Sequence, residues 1–248
     1  MPRAARQFAT DVRYSLLMYY RNRQALFFSF VFPALFLVML GYLLGGPGSG
    51  PGPVADLLPG IVSLCILFSA INGTAGSLAK YKVNGTFKKL STTPLSSYLL
   101  NVSRIASGTI IVVLSSALSL LVAWLVFGVA PALTPVSALV VVVGSVTFAG
   151  VGMVVAYLIE DPDAVSAAAY VVILPLVLVS GSFFPVARLP VLLRMVSILS
   201  PLTYLNNGIR SSMFAAQPGT ALVNMGICVF LCFMVFCIGV AIQASRES

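Results

Sequence analysis

Six long apolar runs, each free of charged residues, alternate with short polar breaks: Ala25–Leu44, Leu57–Ala79, Ile105–Ala130, Val136–Ile159, Ala164–Ala187 and Ala221–Ala244. About 20 apolar residues in a helix cross the ~30 Å hydrocarbon core of a bilayer, and the shortest of these runs has 20. The pattern predicts an all-α integral membrane protein with six transmembrane helices in a single domain, 1–248. Pro33 is expected to bend the first span. Gly41 and Gly45 form a GxxxG pair, but they stand beside the Gly/Pro-rich residues 46–53 and read better as part of that loop signal. The second run contains Ser63, Ser69, Asn72, Thr74 and Ser77. That density of small polar groups predicts a face turned toward other helices or a cavity, with Asn72 making an interhelical hydrogen bond or a ligand contact. Gly144, Gly150 and Gly152 suit the fourth run to close packing.

The breaks carry three further elements. Residues 5–23 form an amphipathic pattern at about 100° per residue. Phe8, Val12, Ser15, Leu16 and Tyr19 fall on one side, and Arg6, Thr10, Arg13 and Arg21 on the other, with Tyr14, Leu17 and Tyr20 blurring the stripe. This predicts an interfacial helix in the headgroup layer, either as a plain positive-inside anchor or also touching a cytoplasmic partner. Lys80–Pro94 is a basic stretch between two spans. Its Asn84-Gly85-Thr86 reads as a turn feeding a short helix, 84–94, that Pro94 ends. After the fifth run come Ser180-Gly181-Ser182, Phe183-Phe184-Pro185 and Leu189-Pro190, then Pro201. Arg188 and Arg194 would each cost roughly 2.5–3.5 kcal/mol in lipid, so 183–201 is expected to be a re-entrant helical hairpin.

Composition strengthens the membrane assignment. The chain is 59% hydrophobic and 8% charged, with mean hydropathy +1.05, whereas a soluble domain is roughly 45–50% apolar and about 25% charged. The net charge of +8 does not point to nucleic acid, because the basic residues flank the apolar runs. With the N-terminus inside, eleven of the 14 basic residues are cytoplasmic and only Arg188, Arg194 and Arg210 are outside. Both termini are therefore expected in the cytoplasm of a multi-pass plasma-membrane protein.

Candidate chemistry is sparse. The chain has no histidine, so His-based catalysis and His metal ligation are excluded. Cys65, Cys228, Cys232 and Cys237 lie in apolar runs without CxxC spacing and read as buried small hydrophobes. The acidic Glu160-Asp161-Pro162-Asp163 reads as a helix start, with Asp161 as N-cap and Pro162 at the first helical position. No G-x-x-x-x-G-K-[ST] phosphate loop occurs, and no ionisable group of the kind a proton-driven carrier places in the membrane lies deep in a span. The chain is expected to be neither an enzyme nor self-powered, and to need no cofactor of its own.

Three stretches carry a family resemblance. Lys82–Ser96 (KVNGTFKKLSTTPLS), Ser180–Pro190 (SGSFFPVARLP) and Ser200–Arg210 (SPLTYLNNGIR) resemble, in order and spacing, motifs of the permease subunit of type-2 ABC transporters. With the six-span layout the resemblance covers nearly the whole chain. One position departs from it: Val83 stands where family members usually carry an acid two residues before Gly-Thr.

The resemblance implies a membrane-spanning subunit of an ATP-driven exporter, paired with a second permease copy or a sister subunit over two ABC ATPase subunits. ATP and magnesium would be bound by those partners. The 84–94 segment would be a coupling helix on the ATPase, through Gly85, Thr86, Phe87, Leu90, Thr93 and Pro94, with Phe87 and Leu90 sharing one helix face. Spans two and five would line the substrate pathway, with Phe68, Asn72 and Leu178 on it, and Phe183, Phe184 and Pro185 would close an outer gate. Such a lining fits an amphiphilic or hydrophobic substrate, a drug-like compound or lipid, moved outward. The alternative is an ion-coupled secondary carrier or channel without an ATPase partner, using a broken-helix carbonyl site at Pro175 or in the glycine-bearing fourth run.

Overall fold

The computed structural model describes residues 3–45, 52–76, 97–159, 161–183, 190–215 and 217–247. The described residues are helical apart from short connections. The elements are α1 (Arg3–Arg21), α2 (Arg23–Leu26), α3 (Phe32–Gly45), α4 (Gly52–Leu67), α5 (Ser97–Phe127), α6 (Pro135–Leu158), α7 (Pro162–Val179), α8 (Val191–Leu199), α9 (Pro201–Met213) and α10 (Pro218–Glu247). Among the described residues, five helical stretches are long and apolar enough to cross a membrane: Arg23–Leu44, Val54–Gly76, Val102–Phe127, Pro135–Leu158 and Pro218–Ile238. They correspond to predicted spans one to four and six.

Span 2 is the axis of the bundle. It is 89% buried, against 61% for the fourth span and at most 33% for the others. Leu58, Ile61, Ile66, Leu67 and Ile71 on it are fully buried. Its Ser63, Ser69 and Thr74 are buried too, so the small polar residues do face protein. Hydroxyls also link other spans: Thr109 Oγ1 lies 2.9 Å from Ser145 Oγ, and Cys65 Sγ lies 3.5 Å from Ser119 Oγ. Of the three on span 2, Thr74 bonds its own helix backbone, whereas the Ser63 and Ser69 hydroxyls make no well-formed hydrogen bond among the described residues.

Two π-helical stretches interrupt the first two spans, Phe27–Val31 and Phe68–Asn72. In span 1 the disturbance expected at Pro33 takes this form. A proline offers no N–H and its ring presses on the carbonyl four residues back, here Ser29, and the turn just before it widens so that the Phe32 N–H donates to the Phe27 carbonyl. In span 2 the Thr74 hydroxyl donates to the Ala70 carbonyl at 2.7 Å, competing with the backbone ladder where the helix departs from α geometry.

Several sequence expectations are corrected. Gly41 is not loop: it is buried inside α3, and a Cβ there would come within 2.4 Å of Cζ of Phe127. Of the fourth-span glycines, Gly144 and Gly152 are packed against Leu205 and Ile71, but nothing lies within 4 Å of a Cβ at Gly150. Cys65, Cys228 and Cys232 are buried, whereas Cys237 is exposed. The fifth run is shorter than 164–187. α7 starts at Pro162 as expected, with the Val165 N–H on the Asp161 carbonyl at 2.9 Å, but it stops at Val179 because Gly181 turns left-handed at φ 73°. Its 18 residues, at about 1.5 Å each, fall short of the ~30 Å core.

The predicted 183–201 hairpin is described only in part. Residues 184–189 lie outside the described residues. Beyond them stands an exposed nine-residue helix, α8, and then α9, for which the sequence pattern made no provision. α9 is deeply buried through Leu202, Leu205 and Ile209 and packs against α4, α6 and α10. It is inserted core, with a polar face that conceals it from a search for long apolar runs.

Candidate functional site

α1 meets the spans where both π-helical stretches lie. Its inward face is the predicted one. Phe8, Val12, Ser15, Leu16 and Tyr19 are half-buried, while Thr10, Arg13 and Arg21 are exposed, as are Tyr14, Leu17 and Tyr20. The helix rests on α5, and Asp11 feels the positive charge of the buried Arg104 there. Burial pushes the Asp11 carboxyl above its ordinary range, and Arg104 pulls it the other way.

At the far end of α1, Tyr19 reaches between spans 1 and 2. Its hydroxyl is hydrogen-bonded to the buried Ser29 in the first π-helical stretch. Its ring lies against span 2, where a Cβ at Gly73 would be 3.5 Å from Cε2. The hydroxyl of Ser69, in the second π-helical stretch and fully buried, faces the same phenol. It makes no well-formed hydrogen bond among the described residues. Burial pushes the Tyr19 phenol up, and the serine hydroxyls pull it back.

An aromatic cluster adjoins this junction. Phe68 stacks on Phe28 (5.8 Å between ring centroids, 21° between planes), meets Phe32 edge-on (5.6 Å, 70°) and lies 6.2 Å from Tyr170 of α7. Offset or edge-on aromatic pairs of this kind contribute roughly 0.5–1.5 kcal/mol each beyond area burial. Phe68 thus brings spans 1 and 2 and α7 together inside the protein.

The other proposed site residues are placed less uniformly. Leu178 is 69% exposed on the outer face of α7 and is not grouped with buried Phe68. Asn72 closes the second π-helical stretch, and its side chain is outside those described. Phe183 packs edge-on against Phe36 of span 1 at 4.8 Å, whereas Phe184 and Pro185 lie outside the described residues. Gly85, Thr86, Phe87, Leu90, Thr93 and Pro94 do too.

A second buried polar junction lies where α7 ends. Asn206 of α9 donates through Nδ2 to Ser182 Oγ at 2.8 Å and to the Ser180 carbonyl at 3.3 Å, and the two serine hydroxyls are 2.6 Å apart. Gly60 of span 2 abuts the same turn: a Cβ there would sit 1.9 Å from the Ser182 carbonyl oxygen. The motifs SGSFFPVARLP and SPLTYLNNGIR are therefore bonded to one another, through residues that sequence reasoning did not single out. Beyond the junction, Arg210 donates to Asp56 Oδ1 and to the Asp56 carbonyl, both at 2.8 Å.

Apolar spans around a buried central helix, an amphipathic helix docked at one end and polar junctions between helices define a multi-pass α-helical membrane protein. The ABC-2 type transporter family matches residues 6–214, from within α1 to just past α9. The chain belongs to that family, a family of transport permeases that generally work with ABC ATPase subunits. No curated protein matches it.

Proposed function

We propose that the chain is the permease subunit of an ATP-driven exporter that moves an amphiphilic or hydrophobic molecule outward across the plasma membrane. The carrying observation is that a transporter membrane domain fills residues 6–214 in a chain without a phosphate-binding loop. Energy then enters from ABC ATPase subunits, with which the family generally works. Two of them dock from the cytoplasm on the 84–94 coupling helix, through Gly85, Thr86, Phe87, Leu90, Thr93 and Pro94, and beside α1. N- and C-termini share that side, in line with the distribution of basic residues. A second permease copy or sister chain covers the stripe Val171, Leu174 and Leu178 of α7, which is exposed in the single chain. Substrate passes along that interface by spans 2 and 5, with Phe68 and Asn72 behind it and Phe183, Phe184 and Pro185 at its outer end.

The test is co-expression with a candidate ABC ATPase, purification of the complex and measurement of ATP-dependent export of a fluorescent phospholipid from vesicles. Gly85→Glu is expected to insert normally and to uncouple hydrolysis from export. Unchanged substrate-stimulated hydrolysis in that variant would refute the docking assignment.

A further inference from the structure

The Tyr19 side chain of α1 enters between the two spans carrying π-helical stretches, and it has two hydroxyls within its reach. Ser29 is bonded to it. Ser69 faces it, is fully buried and has no well-formed hydrogen bond among the described residues. A buried hydroxyl left unmade favours any arrangement that satisfies it. A π-helical turn holds one residue more than an α turn and often marks a functional site. Both serines sit in such turns. On span 2 the ring faces Gly73, whose missing side chain leaves about a methyl group's space: a Cβ there would lie 3.5 Å from Cε2.

We propose that Tyr19 is a two-position pin: its hydroxyl bonds Ser29 in the arrangement seen here and Ser69 in a second one, so that a shift of α1 repositions span 1 relative to span 2. Tyr19 is a positioning residue. It touches no substrate and acts through the two serines. The inference deepens the proposed function, because α1 is the element read there as lying beside the ATPase. Movement of that helix would reach the spans beside Phe68 through one phenol hydroxyl. Phe28 and Phe68 belong to the same two π-helical stretches, Phe32 caps the first, and their rings pack on one another, so a change at Tyr19 would be felt by the rings nearest the proposed pathway.

The experiment uses the full chain alone in phosphatidylcholine nanodiscs, so its outcome does not depend on the ATPase or the substrate. Spin labels are placed at Arg13→Cys on α1 and Leu43→Cys on α3, both exposed, with exposed Cys237 replaced by serine. The distance distribution between the labels is then measured. Ser29→Ala is expected to move the population about tenfold toward a second distance, the effect of one buried hydrogen bond. Ser69→Ala should keep the main distance and remove that second one. Tyr19→Phe keeps the ring, and in its background Ser29→Ala should have no further effect. Opposite responses to the two serine variants would not arise if Tyr19 only filled space. The proposal is overturned if Ser29→Ala leaves the distribution unchanged, or if its effect persists in Tyr19→Phe.

Discussion

Replacing Gly60 by alanine tests the junction between span 2 and the end of α7. The added Cβ would lie 1.9 Å from the Ser182 carbonyl oxygen, 2.6 Å from its carbon and 2.9 Å from its Cα. All three are backbone atoms, so no rotamer change relieves the clash. A carbon beside a carbonyl oxygen needs about 3.3 Å, so the two segments must part by roughly 1.4 Å. Overpacking of this sort costs about 1–3 kcal/mol. The same displacement stretches the Asn206 bonds to Ser180 and Ser182, adding ~1 kcal/mol. The total, ~2–4 kcal/mol, corresponds to a fall in melting temperature on the order of 5–15 °C for a chain of this size. The assay is thermal unfolding in detergent followed by a thiol-reactive dye, because Cys65, Cys228 and Cys232 are buried and react only when the bundle opens. Two controls calibrate it. Gly144→Ala meets side-chain tips, Leu205 Cδ1 at 2.7 Å, which can turn away, and Ile66 Cδ1 at 3.6 Å. Gly150→Ala meets nothing within 4 Å and should gain ~0.5–1 kcal/mol from better helix propensity. A Gly60→Ala protein that melts no lower than Gly144→Ala would refute the backbone contact.

Single contacts set the other expected outcomes. Gly152→Ala presses on the Ile71 backbone, with O at 2.7 Å and Cα at 3.0 Å, and should lower the melting temperature less than Gly60→Ala but more than Gly144→Ala. The Arg210–Asp56 pair is solvent-exposed, at 43% and 77%, so its charge contributes under ~1 kcal/mol. Arg210→Ala and Arg210→Lys should then melt alike, and full retention by lysine would show that charge outweighs the second bond to the Asp56 carbonyl. Asp11 has a raised pKa, from burial that exceeds the attraction of Arg104. The linkage sign is that stability is present below the ordinary carboxylate pKa and lost as pH rises through the raised one. Asp11→Asn should match the wild type near pH 4 and melt above it as pH rises, with the reverse trend showing that the ion pair wins.

The spans were legible because membrane solvent leaves a one-dimensional record: no charge over 20 residues or more has few other causes. The amphipathic face of α1 was legible for the same reason, and Phe8, Val12, Ser15, Leu16 and Tyr19 do turn inward. α9 was not. Its buried face carries Thr203, Asn206, Ser211 and Ser212 as well as Leu202, Leu205 and Ile209. Ser211 and Ser212 bond their own helix backbone and Asn206 bonds Ser180 and Ser182, and in sequence such groups look like polar groups satisfied by water. The packing of Gly41 was hidden because the ring it receives, Phe127, belongs to another span. Ser29 and Ser69 carried no local signal either, since what distinguishes them is a tyrosine from outside the spans. The Ser180–Ser182 and Asn206 junction was half visible: both stretches were picked out by resemblance, but only the fold brings them together.

The two polar junctions on span 2 differ in kind, and the difference bears on how the span can move. At Gly60 the contact is backbone against backbone, with no side chain between, and the Asn206 bonds hold the other partner in place. Close-packed contacts of this type are bistable at best and do not deform gradually. Nine residues further along, about 13 Å up the helix, Ser69 lies in a π-helical stretch beside the Tyr19 phenol, without a well-formed hydrogen bond in the arrangement seen here. A helix fixed at one end and exchangeable at the other tilts about the fixed end. A displacement delivered by α1 therefore acts on span 2 at the end free to respond, and Gly60 is where that displacement would be resisted.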